Sequence, residues 1–315
     1  MTKLNKLIIV ACCILGLAVN VNAQKGAVLE VSEMPSSGAF PVVSSENTAA
    51  HIVVASEERD VVKIAAEAFS SDVSMLTRQK PVVSEQFATD RPNIVIGTLG
   101  VSAVLDEMEN EGLITTADVK DKWETFCLKV ISYKGQPCLV IFGSDPRGTA
   151  YGVFELSRTM GVNPWVWWAD IVPEEKEAVY VSTSGSVYGP PSVKYRGIFI
   201  NDEDWGLQPW AAKHMDTDIK DIGPKTYEKV FELMLRMKAN YLWPAMHPCT
   251  KAFWFYKGNP EVAKRYDIVM GSSHCEPLLR NNVDEWIHNY EGGKTSAEWN
   301  WKPTEIRLSI IGRNE

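Results

Sequence analysis

The chain has 315 residues, 45% apolar and 23% charged, the balance of a soluble globular protein with room for about two domains. Its net charge of −8, from 32 basic and 40 acidic residues, argues against holding nucleic acid or another polyanion by bulk charge. A neutral polymer bearing occasional acid groups stays open.

The chain starts with Lys3 and Lys6, an apolar run over residues 7–19, and Val21-Asn22-Ala23 before Gln24. This pattern predicts a secretory signal peptide over residues 1–23 and an exported product, periplasmic or extracellular. The run is too short for a spanning helix, which needs about 20 apolar residues. No membrane span is expected elsewhere. Ile9-Val10-Ala11-Cys12 loosely resembles a lipoprotein box, with anchoring at Cys12 as the lesser alternative.

Residues 24–50 are rich in Ser, Gly and Pro and read as an extended lead-in. Residues 51–56 (HIVVAS) and 93–98 (NIVIGT) read as buried strands. Between them, residues 58–69 place Val61, Ile64, Ala65 and Phe69 on one helical face. Residues 126–133 and 138–144 form an expected hairpin with its turn at residues 134–137. That turn puts Cys127 opposite about residue 142, not opposite Cys138. Export permits disulfides, but the spacing of Cys127, Cys138, Cys249 and Cys275 does not demand them. No CxxC or paired His/Cys spacing suggests zinc, so no metal or cofactor is implied. A helix is expected next, through Met160, with Asp145 as N-cap and Pro146 at its first position. Residues 24–180 thus read as one α/β domain around a small mixed sheet.

Residues 181–191 (VSTSGSVYGPP) mark a boundary, and residues 192–315 read as a second domain. Its expected elements are a strand at 193–200, a helix at 224–239, a strand at 240–246, a short helix at 261–265 and a strand at 267–271. Pro224 and Thr226 suit the start of the first helix, whose buried face takes Tyr227, Val230, Phe231, Met234 and Met237. This β-α-β-α-β rhythm predicts parallel strands.

The polar and aromatic residues at the strand ends carry the functional signal. Asn201, Asp202, Glu203, Asp204 and Trp205 come after the first strand, Trp243 and His247 belong to the second, and His274 and Glu276 come after the third. Acids at the end of a buried strand must stay solvated, find donors or change their pKa. In parallel β/α folds the carboxyl ends of the strands share one face, where active sites sit. Indole rings stack on the C–H faces of pyranoses, and carboxylates accept sugar hydroxyls. Hydrolysis of a glycosidic bond uses two carboxylates; Glu203 and Asp204 are the candidates, with Glu276 behind them. The bland alternative is a solvated turn in which one acid of the triplet caps a helix.

At these residues a resemblance enters. Residues 143–170 (GSDPRGTAYGVFELSRTMGVNPWVWWAD), 195–205 (YRGIFINDEDW), 240–247 (NYLWPAMH), 271–277 (GSSHCEP) and 280–286 (RNNVDEW) resemble the family 115 glycoside hydrolases, the xylan α-1,2-glucuronidases. The resemblance implies an N-terminal α/β domain followed by a (β/α)8 barrel, of which this chain holds the first strands. It implies removal of glucuronic acid, or its 4-O-methyl form, from glucuronoxylan with inversion, and it allows dimers. It places Asp202, Glu203, Asp204, Trp243, His247 and His274 around the uronic acid; Asn201, Trp205 and Glu276 join them as candidate sugar ligands. A full barrel takes about 250 residues, and 121 run from Tyr195 to the end. A truncated copy is therefore expected, with an inactive or weakly sugar-binding remnant as the alternative. Families 67 and 20 share the domain pair, but family 20 expects its Asp-Glu pair after a mid-barrel strand.

Overall fold

The computed structural model describes residues 24–46, 48–202, 205–246 and 249–273. The chain divides into two compact units, Met1–Lys194 and Tyr195–Glu315. The expected signal segment lies outside the described residues.

In the first unit the chain forms β1 (Gln24–Gly26), β2 (Glu30–Ser32), β3 (Phe40–Val43), β4 (His51–Val54), α1 (Asp60–Thr77), β5 (Val83–Ser84), β6 (Asn93–Thr98) and α2 (Ala103–Asn110). It continues through β7 (Phe126–Tyr133), β8 (Gln136–Gly143), α3 (Pro146–Met160), β9 (Val179–Ser182) and β10 (Ser186–Tyr188). Seven strands make a mixed sheet ordered β1-β10-β7-β8-β6-β4-β5. Its β5-β4-β6-β8 half is parallel and its β8-β7-β10-β1 half antiparallel. The parallel half is legible in its composition: every position of β6 is buried, as a strand covered on both faces requires. On one face Val53, Val95, Val140 and Phe142 pack with Leu105 and Met108 of α2. Helices α1 and α3 pack on each other and on β4, β6 and β8.

The expected hairpin is present, but its second strand starts at Gln136, so the turn is two residues long and not the four of residues 134–137. Lys134 and Gly135 join β7 to β8 with φ of 50° and 78°, the two left-handed positions of a type I′ turn. Cys127 lies opposite Phe142 and Cys138 opposite Ile131; both thiols are free and buried. Asp145 caps α3, accepting the Gly148 amide at 2.8 Å, with Pro146 in the first turn.

Three expectations need correction here. Residues 24–50 are not a lead-in: they supply β1, which pairs with β10, and β2 and β3, which flank β9 in a second, antiparallel sheet. Strands of three or four residues show no alternation and depend on partners late in the unit. Residues 181–191 are not bare linker, because β9 ends and β10 lies within them. Helix α1 runs on to Thr77, since Val73 and Leu76 extend its buried face; α2 is an element beyond the sequence expectation.

The second unit contains β11 (Gly197–Phe199), α4 (Leu207–His214), α5 (Pro224–Arg236), β12 (Tyr241–Trp243), a single 3-10 turn (Phe253–Phe255), α6 (Gly258–Arg265) and β13 (Val269–Met270). The three strands are parallel in the order β11-β12-β13, with Phe199 beside Trp243 and Tyr241 beside Val269. Among the described residues this is an open sheet, not a closed barrel. Its register is pinned at the start of the strands, where Asn240 Oδ1 accepts the Arg196 amide at 2.9 Å and Arg196 Nε donates to the Lys238 carbonyl at 2.9 Å. Helix α5 buries Tyr227, Val230, Phe231 and Met234 as expected. It stops at Arg236, and Lys238 takes a left-handed φ of 57°, which leaves Met237 exposed instead of in the core. No helix among the described residues is long and apolar enough to cross a membrane.

Candidate functional site

The three parallel strands end side by side. Past β11 the ladder continues to Ile200, whose amide donates to the Trp243 carbonyl at 2.9 Å; past β13 the Gly271 amide donates to the Leu242 carbonyl at 2.8 Å. Trp243 ends β12, and the segments beyond the strand ends hold the other candidate residues. Glu203, Asp204, His247, His274 and Glu276 lie outside the described residues. Asn201, Asp202, Trp205 and Trp243 are described.

Asn201 is exposed, whereas Asp202 is buried. The Asp202 carboxylate accepts the Leu207 amide at 2.6 Å through Oδ1 and the Gln208 amide at 2.9 Å through Oδ2. These are orphan donors of the first turn of α4, whose N-cap, Gly206, has no side chain to offer. Of the two readings of the acidic triplet, a sugar-binding cluster or a helix cap, the geometry gives Asp202 the cap. The capped loop presents Trp205, which is 82% exposed.

Two further aspartates, not singled out from sequence, organise this unit. Asp216 is buried and accepts four donors: the amides of Gly223, Lys225 and Thr226, each at 3.0 Å, and the Thr226 hydroxyl at 2.6 Å. It caps α5 from outside, because Pro224 and Gly223 leave that helix start without a side-chain acceptor. Asp221 accepts the Ile222 amide at 2.8 Å, and its other oxygen takes the Lys251 amide at 3.0 Å and the Tyr256 hydroxyl at 2.9 Å. That oxygen clips together the loop after β12, which exposes Trp254 and Phe255. The phenol of Tyr227, wholly buried, is held above its usual value, first by burial and then by the charges of Asp221, Asp216 and Asp202. A hint was present: each aspartate stands in a loop just ahead of a helix or turn that lacks its own cap.

Trp243 ends β12, half-buried, with its ring edge-on to Phe199 at 5.6 Å between centroids. Its indole N–H donates to the Tyr241 hydroxyl at 3.0 Å. Tyr241, Trp243 and Phe199 share one face of the sheet by the period of two. Trp243, Phe199 and Trp205 are therefore aromatic surface at the carboxyl end of these strands. Among the described residues no group of three His, Cys, Asp or Glu could hold a metal ion.

Two family patterns match along the chain. The family pattern "Glycosyl hydrolase family 115" matches residues 188–309, and "Glycosyl hydrolase family 67 N-terminus" matches residues 42–156. Among solved structures, the chain resembles a family GH115 4-O-methyl-alpha-glucuronidase with specificity for decorated arabinogalactans, at 41% identity and a TM-score of 0.71. That match covers 83% of this chain and 34% of the other, so the chain spans about a third of that relative's length. Slighter likenesses are to the structure CpGH84D, at 10% identity and TM-score 0.47 over 76% of this chain and 35% of that one, and to a beta-hexosaminidase of Streptomyces plicatus, at 12% identity and 0.45 over 78% and 44%. Likenesses at that level bear on neither fold nor function. A comparison with curated protein sequences found no match.

Proposed function

The chain belongs to glycoside hydrolase family 115, and from that premise we propose that the protein removes glucuronic acid or 4-O-methylglucuronic acid from side chains of glucuronoxylan. The observation carrying this reading is the parallel strand end in which Asp202, tied to α4, presents Trp205 beside the Glu203-Asp204 pair in sequence. Glu203 and Asp204 are proposed as the catalytic acids of this segment. Asn201, Trp205, Trp243, His247, His274 and Glu276 are proposed to line the sugar. An inverting pair stands about 6.5–9.5 Å apart to admit a water. Neighbours in sequence usually lie closer than that, so one of Glu203 and Asp204 is proposed to act with a carboxylate from a different strand.

Export is proposed on the Lys3–Lys6 start and apolar run of the N-terminus. A second substrate, uronate-decorated arabinogalactan, is favoured by the specificity stated for the 41% identical relative. The test is to incubate the protein with glucuronoxylan and, separately, with uronate-decorated arabinogalactan, and to quantify free uronic acid. Release from xylan supports the first reading and release from arabinogalactan alone the second. No release from either overturns the hydrolase reading for this chain. Proton NMR of the first-formed sugar anomer decides whether configuration inverts.

A further inference from the structure

We propose that Tyr241 is a ligand-binding residue of this site, donating its phenolic O–H to an oxygen of the bound sugar; the inference rests on the sugar-site reading above. Tyr241 opens β12, two residues before the strand's carboxyl end. Its side chain nevertheless reaches that end, because its hydroxyl meets Trp243 Nε1 at 3.0 Å. The path runs over Gly271, the first residue past β13. A Cβ on Gly271 would stand 1.9 Å from the Tyr241 hydroxyl and 2.7 Å from Trp243 Nε1, so a side chain there would displace the hydroxyl from this place.

The donor and acceptor roles give the hydroxyl its direction. An indole N–H can only donate, so the tyrosine oxygen is the acceptor in this pair. Its own proton has no acceptor among the described residues, and Tyr241 is neither buried nor fully exposed. A half-covered phenol whose lone pair is occupied by a neighbour points a donor toward whatever fills the space before it. The same bond consumes the Trp243 N–H, so Trp243 offers a ligand its ring face only. The pair therefore divides the work: Trp243 stacks, and Tyr241 hydrogen-bonds.

Isothermal titration of free D-glucuronic acid into the wild type and Tyr241→Phe tests this, with thermal midpoints recorded for both. The substitution is expected to weaken binding roughly threefold to tenfold, the worth of one hydrogen bond. Equal affinity for wild type and Tyr241→Phe overturns the proposal, even if the midpoint falls. If the wild type binds no uronic acid, the sugar-site reading itself fails and Tyr241 falls with it. Should Tyr241→Phe not fold, Trp243→Phe carries the test. It keeps a ring and removes the N–H that holds the hydroxyl in place, so binding is expected to weaken with a less favourable enthalpy, and unchanged affinity and enthalpy together would show that the held hydroxyl does not bind the sugar.

Discussion

Glu58 and Thr98 are joined twice across 40 residues of sequence. The Glu58 carboxylate accepts the Thr98 amide at 2.6 Å through one oxygen and the Thr98 hydroxyl at 2.8 Å through the other. Glu58 stands just before α1 and Thr98 ends β6, and both are buried. Burial raises the Glu58 pKa above the usual carboxylate value; the two bonds from Thr98 and the charge of Lys63 pull the other way without cancelling it. A carboxyl whose pKa is raised by folding favours the folded state fully below its unfolded pKa, and that contribution is lost as pH rises through the folded value. Urea midpoints of wild type and Glu58→Gln, measured from pH 4 upward, are expected to show the wild type losing ground to the variant as pH rises. Parallel curves would contradict this. Glu58→Ala at neutral pH strands the buried Thr98 amide, while the Thr98 hydroxyl keeps Thr149 Oγ1 at 3.0 Å, and is expected to cost about 2 kcal/mol.

Asp216→Ala removes the acceptor of three amides and one hydroxyl at the start of α5. The loss is expected to destabilise the second unit by about 3 kcal/mol, beyond an ordinary cap because the site is buried. Thermal or urea unfolding followed by tryptophan fluorescence reads it, since most of the tryptophans lie in that unit. A change within about 0.5 kcal/mol, as for a plain surface substitution, would show that water replaces the carboxylate.

Asp202 and Trp205 should separate stability from binding. Asp202→Ala loses the α4 cap and is expected to cost about 1 kcal/mol. Trp205→Ala, at an open surface position, is expected to leave stability within about 0.5 kcal/mol and to weaken binding of uronate-bearing oligosaccharides. Unfolding curves and titrations on the same two variants check both halves. A Trp205→Ala protein with wild-type affinity removes the ring from the site.

Burial pushes the thiols of Cys127 and Cys138 up to about 12. At pH 8 neither forms appreciable thiolate, the reactive species. Iodoacetamide under native conditions is expected to spare both and to modify exposed Cys249, with mass spectrometry of tryptic peptides as the readout. Rapid labelling of Cys127 or Cys138 would mean that the β7–β8 hairpin opens readily.

Sequence by itself determined much of this protein. Local signals placed β6, the hairpin, the Asp145 cap and the start of α5 close to where they fall, because each is written in neighbouring residues: an unbroken apolar run, a Lys-Gly turn, an Asp-Pro start. The order of strands and helices was enough to make the second unit's sheet parallel, and the residues after each strand marked one end of it. Tertiary structure alone decided the rest. The strands at residues 24–43 exist only through partners near the far end of their unit, and pairing over that distance leaves no local periodicity. The turn of Asp202 onto α4 depends on where the Leu207 and Gln208 amides point. The Tyr241–Trp243 bond over Gly271 depends on two strands lying side by side, a closeness that exists only once the sheet has formed.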